Sequence, residues 1–67
     1  MELYDCGKCL KHAQDVHSVG AEALAADLGV SRHQIYRWRN MKNWKMHTVQ
    51  RICASLGISL EDFFNLN

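Results

Sequence analysis

Only three residues, Gly29-Val30-Ser31, separate two stretches whose apolar residues recur at helical intervals, and this short interruption constrains the fold more than any other feature of the chain. Gly29 adopts the left-handed backbone conformation at little steric cost, so it ends a first helix running from Ala21 to Leu28. Ser31 offers a side-chain oxygen to the free amides that open the next helix, and Gln34 three residues on completes the pattern of a capping box. Two short helices joined so tightly can cross at a steep angle only where small residues meet, and Ala25 and Gly29 are small. Leu24, Leu28, Val30, Ile35 and Trp38 have the spacing to close a core beneath the pair. The second helix then presents a polar outer face of Arg32, His33, Tyr36, Arg37 and, further along, Asn40.

The rest of the chain reads as helix too. It contains no proline and no tract of low complexity, and glycine or serine breaks separate the periodic segments. A helix is expected from about Leu3 to His17, with Leu3, Cys6, Leu10 and Ala13 along one stripe and Gly7 weakening its first turns. Another spans Met46 to Leu56, burying Met46, Val49, Ile52, Cys53 and Leu56 and ending at Gly57. Ser59 caps a last helix with Asp62 at its third position and Leu60, Phe63, Phe64 and Leu66 on its apolar side. The expectation is therefore a compact all-α domain of five helices covering residues 1–67, with the tightly joined pair at 21–39. A chain of 67 residues buries a limited fraction of its surface, so a second subunit would help it.

The formal net charge of +1 conceals a strong asymmetry. No acidic residue lies between Leu28 and Leu60, yet Arg32, Arg37, Arg39, Lys42, Lys45 and Arg51 all do, so one face is expected to be basic and to attract a polyanion. The three cysteines form an odd set, and nothing resembles a secretory leader, a lipidation signal or a membrane span, which points to a soluble cytoplasmic protein with reduced thiols. Cys6-Gly7-Lys8-Cys9 with His12 and His17 has the residue types of a zinc site, but the second half of a four-ligand set is missing, and buried small thiols are the commoner outcome. No metal, cofactor or small-molecule ligand is expected. Trp44 reads as a core plug beneath its loop rather than a stacking platform for bases, because such platforms usually serve single strands.

Taken together, Leu24-Ala25-Ala26-Asp27-Leu28-Gly29-Val30-Ser31-Arg32, followed by Ile35, Trp38 and Asn40, resembles the Cro and phage-repressor (XRE-type) helix-turn-helix family. The similarity continues through Thr48-Val49-Gln50-Arg51-Ile52-Cys53-Ala54-Ser55-Leu56-Gly57-Ile58-Ser59-Leu60-Glu61-Asp62-Phe63-Phe64 and covers roughly Val19 to Leu66. It implies a lambda-repressor-like fold in which Arg32, His33 and Arg37 contact base edges of double-stranded DNA. Tyr36 reaches a base or a phosphate beside them. Asn40 holds backbone phosphate, with Ser31, Gln34, Lys42 and Lys45 as further phosphate contacts. Two departures stand out. Gly20-Ala21 replaces the Ser-Gln with which the family usually begins its first motif helix, and Asn40-Met41-Lys42-Asn43-Trp44-Lys45 replaces a loop that often carries glycine and proline.

The expected function is a sequence-specific transcription regulator, a phage or prophage Cro-like repressor, since the chain ends soon after the DNA-binding portion and leaves no room for a sensor. Consecutive Phe63 and Phe64 point about 100° apart on a helix, so one ring is expected to serve a partner. Phe63, Phe64 and Leu66 are accordingly assigned to a two-fold homodimer reading a palindrome, with recognition helices about 34 Å apart. The alternative is an antitoxin or adaptor subunit that uses the same fold mainly to hold another protein. Enzymatic activity is not expected, because no acid, base and nucleophile are spaced to form a pocket.

Overall fold

A computed structural model describes residues 5–66. In order, it contains α1 (Cys6–His17), α2 (Ala21–Leu28), α3 (Arg32–Arg39), α4 (Met46–Leu56) and α5 (Leu60–Phe64), with no strand among the described residues. The Cα radius of gyration, 10.7 Å, is close to the roughly 11 Å expected of a compact chain this long. No helix of the described residues is long and apolar enough to cross a membrane.

The first helix begins later than its apolar stripe suggests. Asp5 has extended backbone and its carboxylate accepts from the Lys8 amide at 3.0 Å, which sets the helix start at Cys6. Leu3 lies outside the described residues. Three of the four connections use one device. Ser18-Val19-Gly20, Gly29-Val30-Ser31 and Gly57-Ile58-Ser59 each consist of a left-handed residue, an apolar residue and an extended N-cap. In each, the apolar residue's amide reaches back to the preceding helix, Val19 to Gln14, Val30 to Ala25 and Ile58 to Cys53, at 2.9–3.0 Å. This is the Schellman closure, which satisfies carbonyls that a helix end leaves free. Ser18 does with φ 54° what glycine does at φ 70° in the other two.

The core draws on every helix: Cys9, Leu10 and Ala13 from α1, Leu24 and Ala25 from α2, Ile35 from α3, Val49, Ile52 and Cys53 from α4, and Phe63 from α5. Met46 departs from expectation. It shares the azimuth of the α4 stripe but sits in the helix's first turn, beyond the edge of the core, and is 55% exposed. Gly7 departs too. It is buried where the first turn of α1 docks against the end of α3, and a Cβ there would lie 2.3 Å from the Arg39 carbonyl oxygen and 2.8 Å from that of Met41. The Cys6 and Gly7 amides, two of the donors that a helix start leaves unpaired, donate to the Lys42 and Met41 carbonyls at 2.8 and 2.9 Å.

The three thiols are free and buried. Burial pushes the Cys9 thiol up to about 11, with the neighbouring Cys6 and Asp5 adding to the effect. Burial likewise raises Cys53, and it raises Cys6 against the opposing pull of the Trp44 backbone amide. No group of three or more His, Cys, Asp or Glu among the described residues is arranged to hold a metal ion. Because the thiols release protons less readily in the folded chain, the unfolded chain binds fewer protons as pH climbs past 9, and the stability they contribute below that point is lost toward about pH 11. The melting temperature should therefore fall between pH 9 and 11, and the native thiols should resist iodoacetamide at pH 8. Prompt alkylation of the folded chain would contradict their burial.

Candidate nucleic-acid interface

The exposed surface of α3 follows from how the helix is anchored. The Ser31 hydroxyl accepts from the Gln34 amide at 3.2 Å, fixing the first turn. The Gln34 side chain does not return to Ser31, so one half of the capping box is formed. Ile35 is fully buried and Trp38 packs half-buried against the core, which turns Arg32, His33, Tyr36, Arg37 and Asn40 outward together. These are the residues expected on the outer face. Ser31 and Gln34 sit at the helix start, with Ser31 exposed and Gln34 half-buried, and Lys42 and Lys45 are exposed on the following connection.

Neighbours orient several of these side chains. The Arg32 guanidinium pairs with Glu22 of α2 at 2.7 Å, although both side chains are largely in solvent, 54% and 78% exposed. Such a pair contributes about 0–1 kcal/mol to stability, and its larger consequence is positional: it draws Arg32 across the two-helix motif. Tyr36, 47% exposed, lies under the Arg39 guanidinium, 5.8 Å from its ring centroid. The Asn40 side-chain amide donates to the Tyr36 carbonyl at 3.0 Å, so the residue closes α3 while remaining exposed.

Three contacts hold the motif from behind. Arg51 of α4 donates to the Leu28 carbonyl at 2.9 Å, placing a cation at the negative end of α2. The Ser55 hydroxyl donates to the Asp27 carboxylate. Trp44 donates from its indole nitrogen to the Trp38 carbonyl at 3.0 Å, with ring centroids 6.2 Å from Trp38 and 5.6 Å from Phe63. Trp44 is thus a plug between α3 and α5. The connection 40–45 needs neither glycine nor proline, because the α1 amides hold its carbonyls at Met41 and Lys42 and the Trp44 indole ties it to the end of α3.

At the start of α2, Gly20 is an N-cap without a side-chain hydrogen bond, and nothing lies within 4 Å of the position its Cβ would take. The open amides there complement an anion. On α5, Phe63 is 0% exposed, so it is withdrawn from the expected dimer surface: its ring points into the core, against Trp44. Phe64 and Leu66 are half-buried.

Glu22 and Arg39 are absent from the expected set. An Arg39–Tyr36 contact is legible as an i, i+3 pair, whereas the Glu22–Arg32 pair joins two helices and has no periodic signal.

A helix anchored on its inner side, cationic on its outer side and preceded through a three-residue corner by another short helix is the defining arrangement of helix-turn-helix DNA-binding domains. A family model described as a Cro/C1-type HTH DNA-binding domain matches residues 15–67, and the chain belongs to that family. No curated protein and no solved structure matches it.

Proposed function

We propose that this protein is a sequence-specific transcription regulator of the Cro-like repressor type, reading a palindromic operator as a two-fold dimer. The observation that carries the reading is the outward face of α3, where Arg32, His33, Tyr36 and Arg37 stand together on a helix anchored by Ile35 and Trp38. In this reading Arg32, His33 and Arg37 meet base edges in the major groove, and Tyr36 lies beside them. Ser31, Gln34, Asn40, Lys42 and Lys45 position the helix on the phosphates. Phe64 and Leu66 supply the apolar part of the subunit contact. Repression follows from occupying the operator and excluding polymerase.

Selection of bound sequences from random duplexes tests this directly, and a two-fold symmetric motif is the expected result. Replacing an arginine that bonds guanine through two parallel hydrogen bonds costs about 1–3 kcal/mol and relaxes the preference at one base pair. Arg32→Ala and Arg37→Ala should therefore each weaken operator binding roughly tenfold to a hundredfold, with selectivity lost at different positions of the motif. Unchanged affinity and selectivity in both variants would remove these arginines from the interface.

A further inference from the structure

Beside the end of α3, the structure holds a second concentration of positive charge, which shares Asn40 and Lys42 with the recognition surface and adds residues of α1 to it. Lys8, Lys11 and His12 of α1 join Arg39, Asn40 and Lys42 around an open cleft of about 460 Å³. Among the described residues that line it, Lys8, Lys11, Arg39 and Lys42 are cationic and Asp5 is acidic. The Asp5 carboxylate is turned to the Lys8 backbone amide as the cap of α1. Lys8 and Lys11 are exposed and make no ion pair with the described residues.

We infer that this cleft is a second phosphate-binding surface, which takes the DNA backbone flanking the half-site read by α3. The inference rests on the DNA-binding reading above and extends it to α1. Three observations support it. First, the cleft is continuous with the recognition face: Arg39, one of its walls, lies over the Tyr36 ring, and Asn40 bonds the Tyr36 carbonyl. Second, its two sides are fixed to one another at the backbone, because the Cys6 and Gly7 amides hold the Lys42 and Met41 carbonyls and so join the start of α1 to the connection after α3. His12 is likewise tied down, donating from Nδ1 to the Leu66 carbonyl.

Third, no lining residue is apolar. A small molecule or a docked peptide gains most of its affinity from apolar side chains in an enclosed pocket, whereas this cleft is open and lined by polar and charged residues. A phosphodiester backbone needs only fixed positive charge. Lys8, Lys11 and His12 precede residue 15, where the family match begins, so the α1 side of this surface comes from a part of the chain that the family model does not cover.

The salt dependence of binding by the full chain gives the test. Each phosphate neutralised on duplex DNA contributes about −0.9 to the slope of log affinity against log salt. The double variant Lys8→Gln with Lys11→Gln should reduce that slope by about 1.8 on a duplex with long flanks, leave the selected base motif unchanged, and differ little from the parent on a duplex trimmed to the motif. Circular dichroism and melting, expected to match the parent, show that the variant is folded. An unchanged slope on the long duplex, with Arg37→Ala still losing selectivity, overturns the role of the cleft and leaves the DNA-binding reading standing. An unchanged slope together with charge-dependent binding of a polyglutamate peptide assigns the cleft to an acidic protein segment instead. Absence of any salt-dependent DNA binding by the unaltered chain overturns both readings.

Discussion

Gly7→Ala should unfold this protein or come close to it. Alanine is the better helix former by about 1 kcal/mol, so in an exposed helix the exchange would stabilise. Here the added methyl would sit 2.3 Å from the Arg39 carbonyl oxygen, 2.7 Å from its carbon and 2.8 Å from the Met41 oxygen. All three are backbone atoms, so no side chain can rotate aside. Either α1 lifts away from the end of the recognition helix, losing the Cys6 and Gly7 hydrogen bonds, or the connection after α3 shifts. Overpacking of this kind costs 1–3 kcal/mol and more where backbone must move, which suggests about 3 kcal/mol or more. At 0.05–0.15 kcal/mol per residue the whole domain has roughly 3–10 kcal/mol to lose. Urea denaturation should show the midpoint collapse, and the melting temperature should drop by at least about 12 °C. Gly20→Ser, at a glycine with nothing near its Cβ position, is the comparison and should change stability by only a few tenths of a kcal/mol. A Gly7→Ala protein that melts with the parent would mean that α1 does not dock as described.

Phe63→Ala should cost about 3–5 kcal/mol in the stability of the single chain. Its ring is fully buried, 5.6 Å between centroids from both Trp44 and Phe64. Removing it also loosens Trp44, whose indole holds the Trp38 carbonyl near the end of α3, so DNA binding should fail along with folding. The loss should be the same at low and high protein concentration. Phe64→Ala and Leu66→Ala, at half-buried positions of the same segment, should show their effect in the concentration dependence of sedimentation. Normal monomer stability in Phe63→Ala, with association alone weakened, would put that ring at an interface and not in the core.

Much of this architecture is legible before any coordinates, because its punctuation is chemical. Glycine at 29 and 57 and serine at 31 and 59 have one conformational task each, and α2 and α4 end and α3 and α5 begin where those residues say. What escapes is tertiary. Nothing local distinguishes a glycine that loosens a helix from one that another backbone must approach, so Gly7 reads as a weakness and proves to be a docking point. Periodicity assigns Met46 a face but cannot say that the core ends before it reaches that face. The same limit applies to Phe63 and Phe64, where packing against Trp44 decides which ring goes inside. Ser18 gives no sign of its left-handed backbone, since the usual glycine is missing. On the outer face of α3, the exposed residues follow directly from burying Ile35 and Trp38. The Glu22 tether on Arg32 and the cations of α1 do not, because they depend on how separate helices meet.

The repeated corner described above also bears on the order in which the molecule assembles. Each of the three is closed by hydrogen bonds spanning five residues, a distance a chain searches within a fraction of a microsecond. The junction of Cys6 and Gly7 with Lys42 and Met41 joins residues more than thirty positions apart, and its loop entropy must be overcome before any contact rewards it. The corner that aims the recognition helix is therefore closed by local contacts, while the far end of that helix depends on a long-range one. In the native ensemble the Asn40 amide, bonded at the far end of α3, should exchange before that of Gln34, the first bonded amide of the helix.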